Sequence, residues 1–194
     1  MQLIILDRDG VINEDSDDYI KSPSEWKPIR GSLEAIARLH HAGWRVVVAT
    51  NQSGIARKLF DLDTLARIHK TMHQRVVENG GLIDAVFFCP HGPDDNCNCR
   101  KPRPGMLLDI AERLRIDLDR VPAVGDSLRD IQAAQSAGAH PILVKTGKGF
   151  GTVSNPRLDP AVPVYDDLYS VVDALLKASN HEAGNKGARI EYPK

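Results

Sequence analysis

Leu3-Ile4-Ile5-Leu6-Asp7-Arg8-Asp9-Gly10 is an apolar run that stops in two carboxylates and a glycine. Four consecutive apolar residues read as a short strand buried on both faces, as strands of a parallel sheet are. Side chains along a strand repeat every two residues, so Asp7 and Asp9 can both point beyond its carboxyl end. Gly10 lets the backbone turn sharply there. At about 4 Å and an effective dielectric near 20, two such anions repel by roughly 4 kcal/mol. The pair therefore implies a shared metal ion or acid–base work rather than a solvated acidic turn.

Outward from this segment, strand and helix patterns alternate. Val46 to Ala49, Ala85 to Phe88, Val121 to Val124 and Ile142 to Val144 are apolar runs of strand length. Leu33, Ile36, Ala37 and His40 share one helical face, with Ser32 as a cap and Gly43 as a stop. Leu65, Ile68, Met72 and Val76 repeat at three and four residues, closed by Gly80-Gly81. A third helix runs from Leu107 to Leu114 behind Pro104, and a fourth from Leu128 to Ala137, ended by Gly138. This alternation predicts an α/β fold, a three-layer Rossmann-like parallel sheet with helices on both faces and its functional crevice at the carboxyl ends of the strands. Residues 1–176 make one domain, and residues 177–194, polar and aperiodic, are expected to form a disordered tail.

Composition narrows the function. The chain has 194 residues, 42% of them hydrophobic, which suits one domain with a real core. Twenty-five basic and 26 acidic residues leave a net charge of −1, so no global field favours nucleic acid or an anionic membrane. No apolar stretch approaches the ~20 residues of a membrane span, and the N-terminus does not read as a signal peptide. We expect a cytoplasmic protein, monomeric for want of an interface pattern.

Each of the other strands also ends in chemistry. Thr50-Asn51-Gln52-Ser53-Gly54 follows the second and offers side-chain and backbone donors to phosphate oxygens, although a helix cap would use the same residues. Arg100-Lys101-Pro102 supplies cations for a phosphoryl group. Val124-Gly125-Asp126-Ser127, with Asp130 one turn on, adds carboxylates of the kind that suit Mg²⁺. Cys89-Pro90-His91 and Cys97-Asn98-Cys99 hold all three cysteines and one histidine within eleven residues. Three thiolates and one imidazole satisfy tetrahedral Zn²⁺ and leave no open position, so the zinc is expected to be structural and to fix the wall bearing Arg100 and Lys101.

The order Asp-x-Asp-Gly, Thr-Asn, Lys-Pro and Gly-Asp, each after a strand, resembles the haloacid dehalogenase superfamily of phosphatases. The resemblance implies that Asp7 is the nucleophile and Asp9 the acid and base. Thr50 and Lys101 would hold the phosphoryl oxygens. Asp7, the main-chain oxygen of Asp9, and Asp126 would bind Mg²⁺, with Asp130 orienting that shell. About twenty residues separate Asp9 from the helix near Ser32, too few for a folded cap domain, so an open site is expected.

Asp7-Arg8-Asp9-Gly10-Val11-Ile12-Asn13, Thr50 to Arg57, and the cysteine loop running into Arg100-Lys101 resemble the D-glycero-D-manno-heptose 1,7-bisphosphate phosphatases more closely. That family removes the C7 phosphate on the way to activated heptose for lipopolysaccharide. The resemblance implies a sugar phosphate substrate lined by Asp15, Ser16, Asp17 and Asp18 on one side and by Asn51, Gln52, Ser53 and Arg57 on the other, with Arg100 recognising it. It leaves the anomer open, and Ser127 stands where some members carry lysine. Histidinol-phosphate phosphatase, which resembles the chain through the same core and zinc pattern, is the alternative. A phosphate-binding module without turnover is a remote third.

Overall fold

The computed structural model describes residues 2–186. Six strands, β1 (Leu3–Leu6), β2 (Arg45–Asn51), β3 (Ala85–Cys89), β4 (Pro122–Gly125), β5 (His140–Val144) and β6 (Val164–Tyr165), form one sheet in the order β3-β2-β1-β4-β5-β6. Every pairing is parallel. The helices are α1 (Ser32–His41), α2 (Leu62–Glu78), α3 (Gly105–Leu114), α4 (Leu128–Ala137), α5 (Gly149–Val153) and α6 (Leu168–Lys186).

The two-residue period of β1 sorts its side chains into two cores. Ile4 and Leu6 join Val46 and Val48 beneath α1, α2 and α6, through Ile36, Leu39, Ile68, Met72, Val171 and Val172. Leu3 and Ile5 join Val47 and Ala49 against α3 and α4, through Met106, Ile110, Ala133 and Ala134. Both faces of β1 are therefore covered, which is why its four residues are uniformly apolar and buried. The chain runs from β1 outward to β3, then returns to lay β4 on the other side of β1. This reversal opens a crevice at the carboxyl ends of β1 and β4, the edge where ligands bind in such sheets. The amide of Asp7 donates to Val124 O at 2.9 Å across that junction.

The structure changes several expectations. Ser32 is the first residue of α1 rather than its cap, and its hydroxyl donates to Ile12 O at 2.6 Å, tying the helix to the segment after β1. The short β6 and α5 carry no periodicity long enough to read. The tail was expected to begin at residue 177, yet α6 continues through Lys186. Buried Leu168, Val171 and Val172 anchor that helix, and good helix formers such as Lys177 and Ala178 extend it. Residues 187–194 of the expected tail lie outside the described residues. Among the described residues no helix is long and apolar enough to cross a membrane.

Candidate active site

Four of the expected residues meet at the β1/β4 junction. The Lys101 ammonium, only 4% exposed, donates to Ala49 O at 2.8 Å and pairs with Asp7 Oδ1 at 3.0 Å and with Asp130 Oδ1. Burial alone would pull its pKa down, but the carboxylates of Asp130 and Asp7 outweigh that and raise it. Asn51 accepts from Lys101 N at 3.1 Å and donates to Lys101 O at 3.0 Å. Asn51, expected at the substrate, lines the crevice while its amide also holds the lysine backbone.

One carboxylate oxygen each from Asp7, Asp126 and Asp130 lie within 4.8 Å of one another. Burial pushes Asp7 up to about 7, with Lys101 opposing and Asp130 and Asp9 adding to the rise. Burial likewise pushes Asp126 up to about 8, helped by the charges of Asp130 and Asp7. Burial would raise Asp130 too, but Lys101 and two donors from Ser127 hold it below the usual range. Asp7 Oδ1 is buried and, for all its closeness to Lys101, accepts no well-aligned hydrogen bond. Three crowded carboxylates beside one ammonium leave negative charge that a hard divalent cation satisfies, so these residues fit Mg²⁺. Gly10 (φ +84°) is required beside them, because a Cβ there would strike the Asp126 carboxylate.

Asp9 turns the other way. Its Oδ1 accepts from Arg8 Nε at 3.0 Å and Asn13 Nδ2 at 2.8 Å. Its Oδ2 accepts from Arg8 Nη2 at 2.9 Å and Gln52 Nε2 at 3.0 Å. Gln52 Nε2 also donates to Thr50 Oγ1 at 2.9 Å, joining the acid–base candidate to the phosphate-side hydroxyl. Asn13 and Arg8 are wholly buried, and neither stood out among the candidate site residues in the sequence. An arginine between two aspartates and an asparagine four residues on are signals that could have been read as their support.

Around this centre the crevice is lined by Asp15, Ser16, Asp17, Ser53, Arg57 and Arg100. Asp18 is not among the lining residues; its amide donates to Ser16 Oγ at 3.2 Å, in a turn that leaves the side chain exposed. Arg129, Tyr19 and Lys148 line it as well. Lys148 bridges the rim, its amide donating to Asp126 Oδ2 at 2.7 Å and its ammonium pairing with Asp15 at 3.2 Å. Arg129 lacks a motif of its own, and only the α4 start brings it to the crevice.

The cysteine loop closes one wall. Cys89 Sγ lies 3.6 Å from His91 Nδ1, 3.7 Å from Cys97 Sγ and 3.3 Å from Cys99 Sγ, which is 3.3 Å from His91 Nδ1. A tetrahedral centre with bonds of about 2.3 Å to sulfur has edges near 3.8 Å, close to these separations, so the four donors can hold one metal ion. Arg100 Nη1 donates to His91 O at 3.2 Å, which ties the neighbouring cation to the loop.

A nucleophile candidate on a strand end, a buried lysine, a carboxylate nest and a crevice at the sheet reversal define a haloacid dehalogenase-type phosphatase. Residues 98–171 match the HAD-hydrolase-like family model. The D-glycero-beta-D-manno-heptose-1,7-bisphosphate 7-phosphatase of Bordetella bronchiseptica is 58% identical over 177 residues, spanning 91% of this chain and 99% of that protein. The enzyme of the same name from Pseudomonas aeruginosa is 54% identical over 90% of this chain and 98% of its own. A crystal structure of D,D-heptose 1,7-bisphosphate phosphatase from B. bronchiseptica, complexed with magnesium and phosphate, superposes with a TM-score of 0.90, covering 92% of this chain and 99% of that one. The chain belongs to the D-glycero-beta-D-manno-heptose-1,7-bisphosphate 7-phosphatase family.

Proposed function

We propose that the protein removes the C7 phosphate of D-glycero-β-D-manno-heptose 1,7-bisphosphate, leaving heptose 1-phosphate. The observation that carries this reading is the Asp7–Lys101–Asp126–Asp130 cluster at the sheet reversal, in a chain 58% identical to an enzyme of that name. The β anomer follows the names of the relatives.

Asp7 attacks phosphorus in line, forming an aspartyl-phosphate as the bond between phosphorus and the C7 oxygen breaks. Asp9 gives its proton to the departing alkoxide and then takes one from the water that hydrolyses the intermediate, releasing phosphate and restoring Asp7. Thr50 and Lys101 hold the phosphoryl oxygens, and Lys101 offsets charge where a dianion meets a carboxylate. Asp7, Asp126 and the main-chain oxygen of Asp9 would hold Mg²⁺, which supplies charge neutralisation and orientation. Asp130 fixes Lys101. Asp15, Ser16 and Asp17 face the sugar hydroxyls, and Arg57 and Arg100 the anionic end of the substrate. Cys89, His91, Cys97 and Cys99 would hold structural Zn²⁺, which their separations suit. A monomer in a reducing cytoplasm, where thiols gathered as metal ligands persist, completes the reading.

The test is phosphate release with Mg²⁺ from heptose 1,7-bisphosphate in both anomers and from histidinol phosphate. The β-bisphosphate should give the largest kcat/KM. Preference for histidinol phosphate would replace the substrate assignment, and no release from any would remove the enzyme assignment.

A further inference from the structure

Among the described residues Arg8 is the largest fully buried side chain, 1% exposed, and its surroundings show what it is for. In the bend after β1, Arg8 grips the adjacent Asp9 carboxylate in a two-pronged fork through Nε and Nη2. That leaves Nη1 to be satisfied from elsewhere. Its partner is His69 Nε2 at 3.3 Å, on α2, sixty-one residues away in sequence and outside every motif of the site.

An arginine only donates, so the contact requires His69 Nε2 to be the bare, accepting nitrogen of a neutral ring. The surroundings enforce that state. Burial, with the Arg8 charge adding, holds His69 down at about 3. The ring stands edge-on to Phe88 of β3, with centroids 6.1 Å apart and planes at 63°, which fixes its tilt. Ile68 and Met72, fully buried in the core under the sheet, pin the turn of α2 that presents it. The Arg8 fork thus has an anchor in the rigid part of the fold.

We propose that His69 is a positioning residue, which by accepting from Arg8 Nη1 fixes the fork that orients the Asp9 carboxylate. This rests on the reading of Asp9 as the acid that protonates the leaving group. Without the acceptor, a buried donor of a charged group has no partner, and the guanidinium turns to find one, carrying Asp9 with it. The acid is then misplaced while the nucleophile, Lys101 and the carboxylate nest stay as they are.

A leaving group that needs no proton separates this from a general loss of structure. His69→Leu and His69→Phe remove the acceptor, while His69→Gln keeps an acceptor near the position of Nε2. Thermal melts identify the folded variants, and kcat/KM is measured with Mg²⁺ on heptose 1,7-bisphosphate and on 4-nitrophenyl phosphate. The folded Leu or Phe variant should lose about tenfold or more on the sugar and less than about threefold on the aryl ester. His69→Gln should stay within about threefold of the parent on both. Equal losses on the two substrates, no loss on the sugar, or failure of Gln to restore it would overturn the proposal. Asp9→Asn in the same assays should show the selective loss in larger measure. If Asp9→Asn kept full turnover of the sugar, the acid assignment itself would fail, whatever His69 did.

Discussion

Asp7 and Asp9 leave one strand two residues apart and meet opposite environments. Asp7 faces inward to Lys101 and the carboxylate nest, and Asp9 faces Arg8, Asn13 and Gln52. Their spacing was legible in the sequence, and so was the presence of a cation nearby. The full support of Asp9 was not, because Gln52, which donates to it, and His69, which meets Arg8 behind it, come from other elements and only folding brings them together. For Asp7 the consequence is direct. Asp7→Asn should lower kcat at least about a thousandfold, since an amide is no nucleophile at phosphorus, while the sugar bisphosphate still binds. Steady-state kinetics with titration calorimetry would check this, and near-parental turnover in a sample free of deamidation would displace Asp7 as nucleophile.

At the scale of elements, the central groups stand at strand ends or a helix start: Asp7 just after β1, Thr50 near the end of β2, Asp126 just after β4 and Asp130 in the first turn of α4. In α4, Ser127 and Asp130 form a reciprocal cap, so the residue that closes the helix also holds Lys101. Gly10 closes the turn after β1 at φ +84°, against the Asp126 carboxylate. Gly10→Ala should cost more than ~1 kcal/mol, through the positive φ and the clash, and lower both Tm and Mg²⁺ affinity. Melting curves with and without Mg²⁺ would measure it, and an unchanged Tm would refute it. The cysteine loop has little apolar content of its own, so a metal ion should give it shape. Stripping the metal held by the loop with a chelator and then restoring Mg²⁺ should loosen residues 89–99 and reduce kcat, read by limited proteolysis and activity. Unchanged cleavage and kcat in a verified zinc-free sample would deny the loop that role.

Over the whole molecule, the buried carboxylates set a balance between charge and stability. Asp7 and Asp126 sit at about 7 and about 8 in the folded chain, against 3.8 ordinarily. Their folded values are raised, so the folded state holds protons that the unfolded chain has released, and stability falls as pH rises through about 8. Below 6.5 the opposite linkage of His69 enters, because the unfolded chain takes up a proton there that the folded ring refuses. Between 6.5 and about 8 the raised carboxylates set the downward slope. Without Mg²⁺, Tm should fall as pH rises across that window, and saturating Mg²⁺ should raise Tm and flatten the slope, since the ion stabilises the ionised carboxylates. A metal-free Tm that rose with pH would contradict the raised values.

The sequence by itself determined the alternation of strands and helices, the parallel sheet and the strand ends that carry chemistry. It also held the Cys-His spacing of the metal loop. These are local: a hydrophobic period, a glycine at a turn and ligands within eleven residues are all written along the chain. Only the tertiary structure decided which carboxylate faces the nest and which faces a buried arginine, that Asn51 serves Lys101, that Asp18 turns to solvent, and that a histidine on α2 completes the site. Those outcomes depend on contacts between residues tens of positions apart, such as Asn51 with Lys101 and Arg8 with His69, and on which buried polar atoms find partners there.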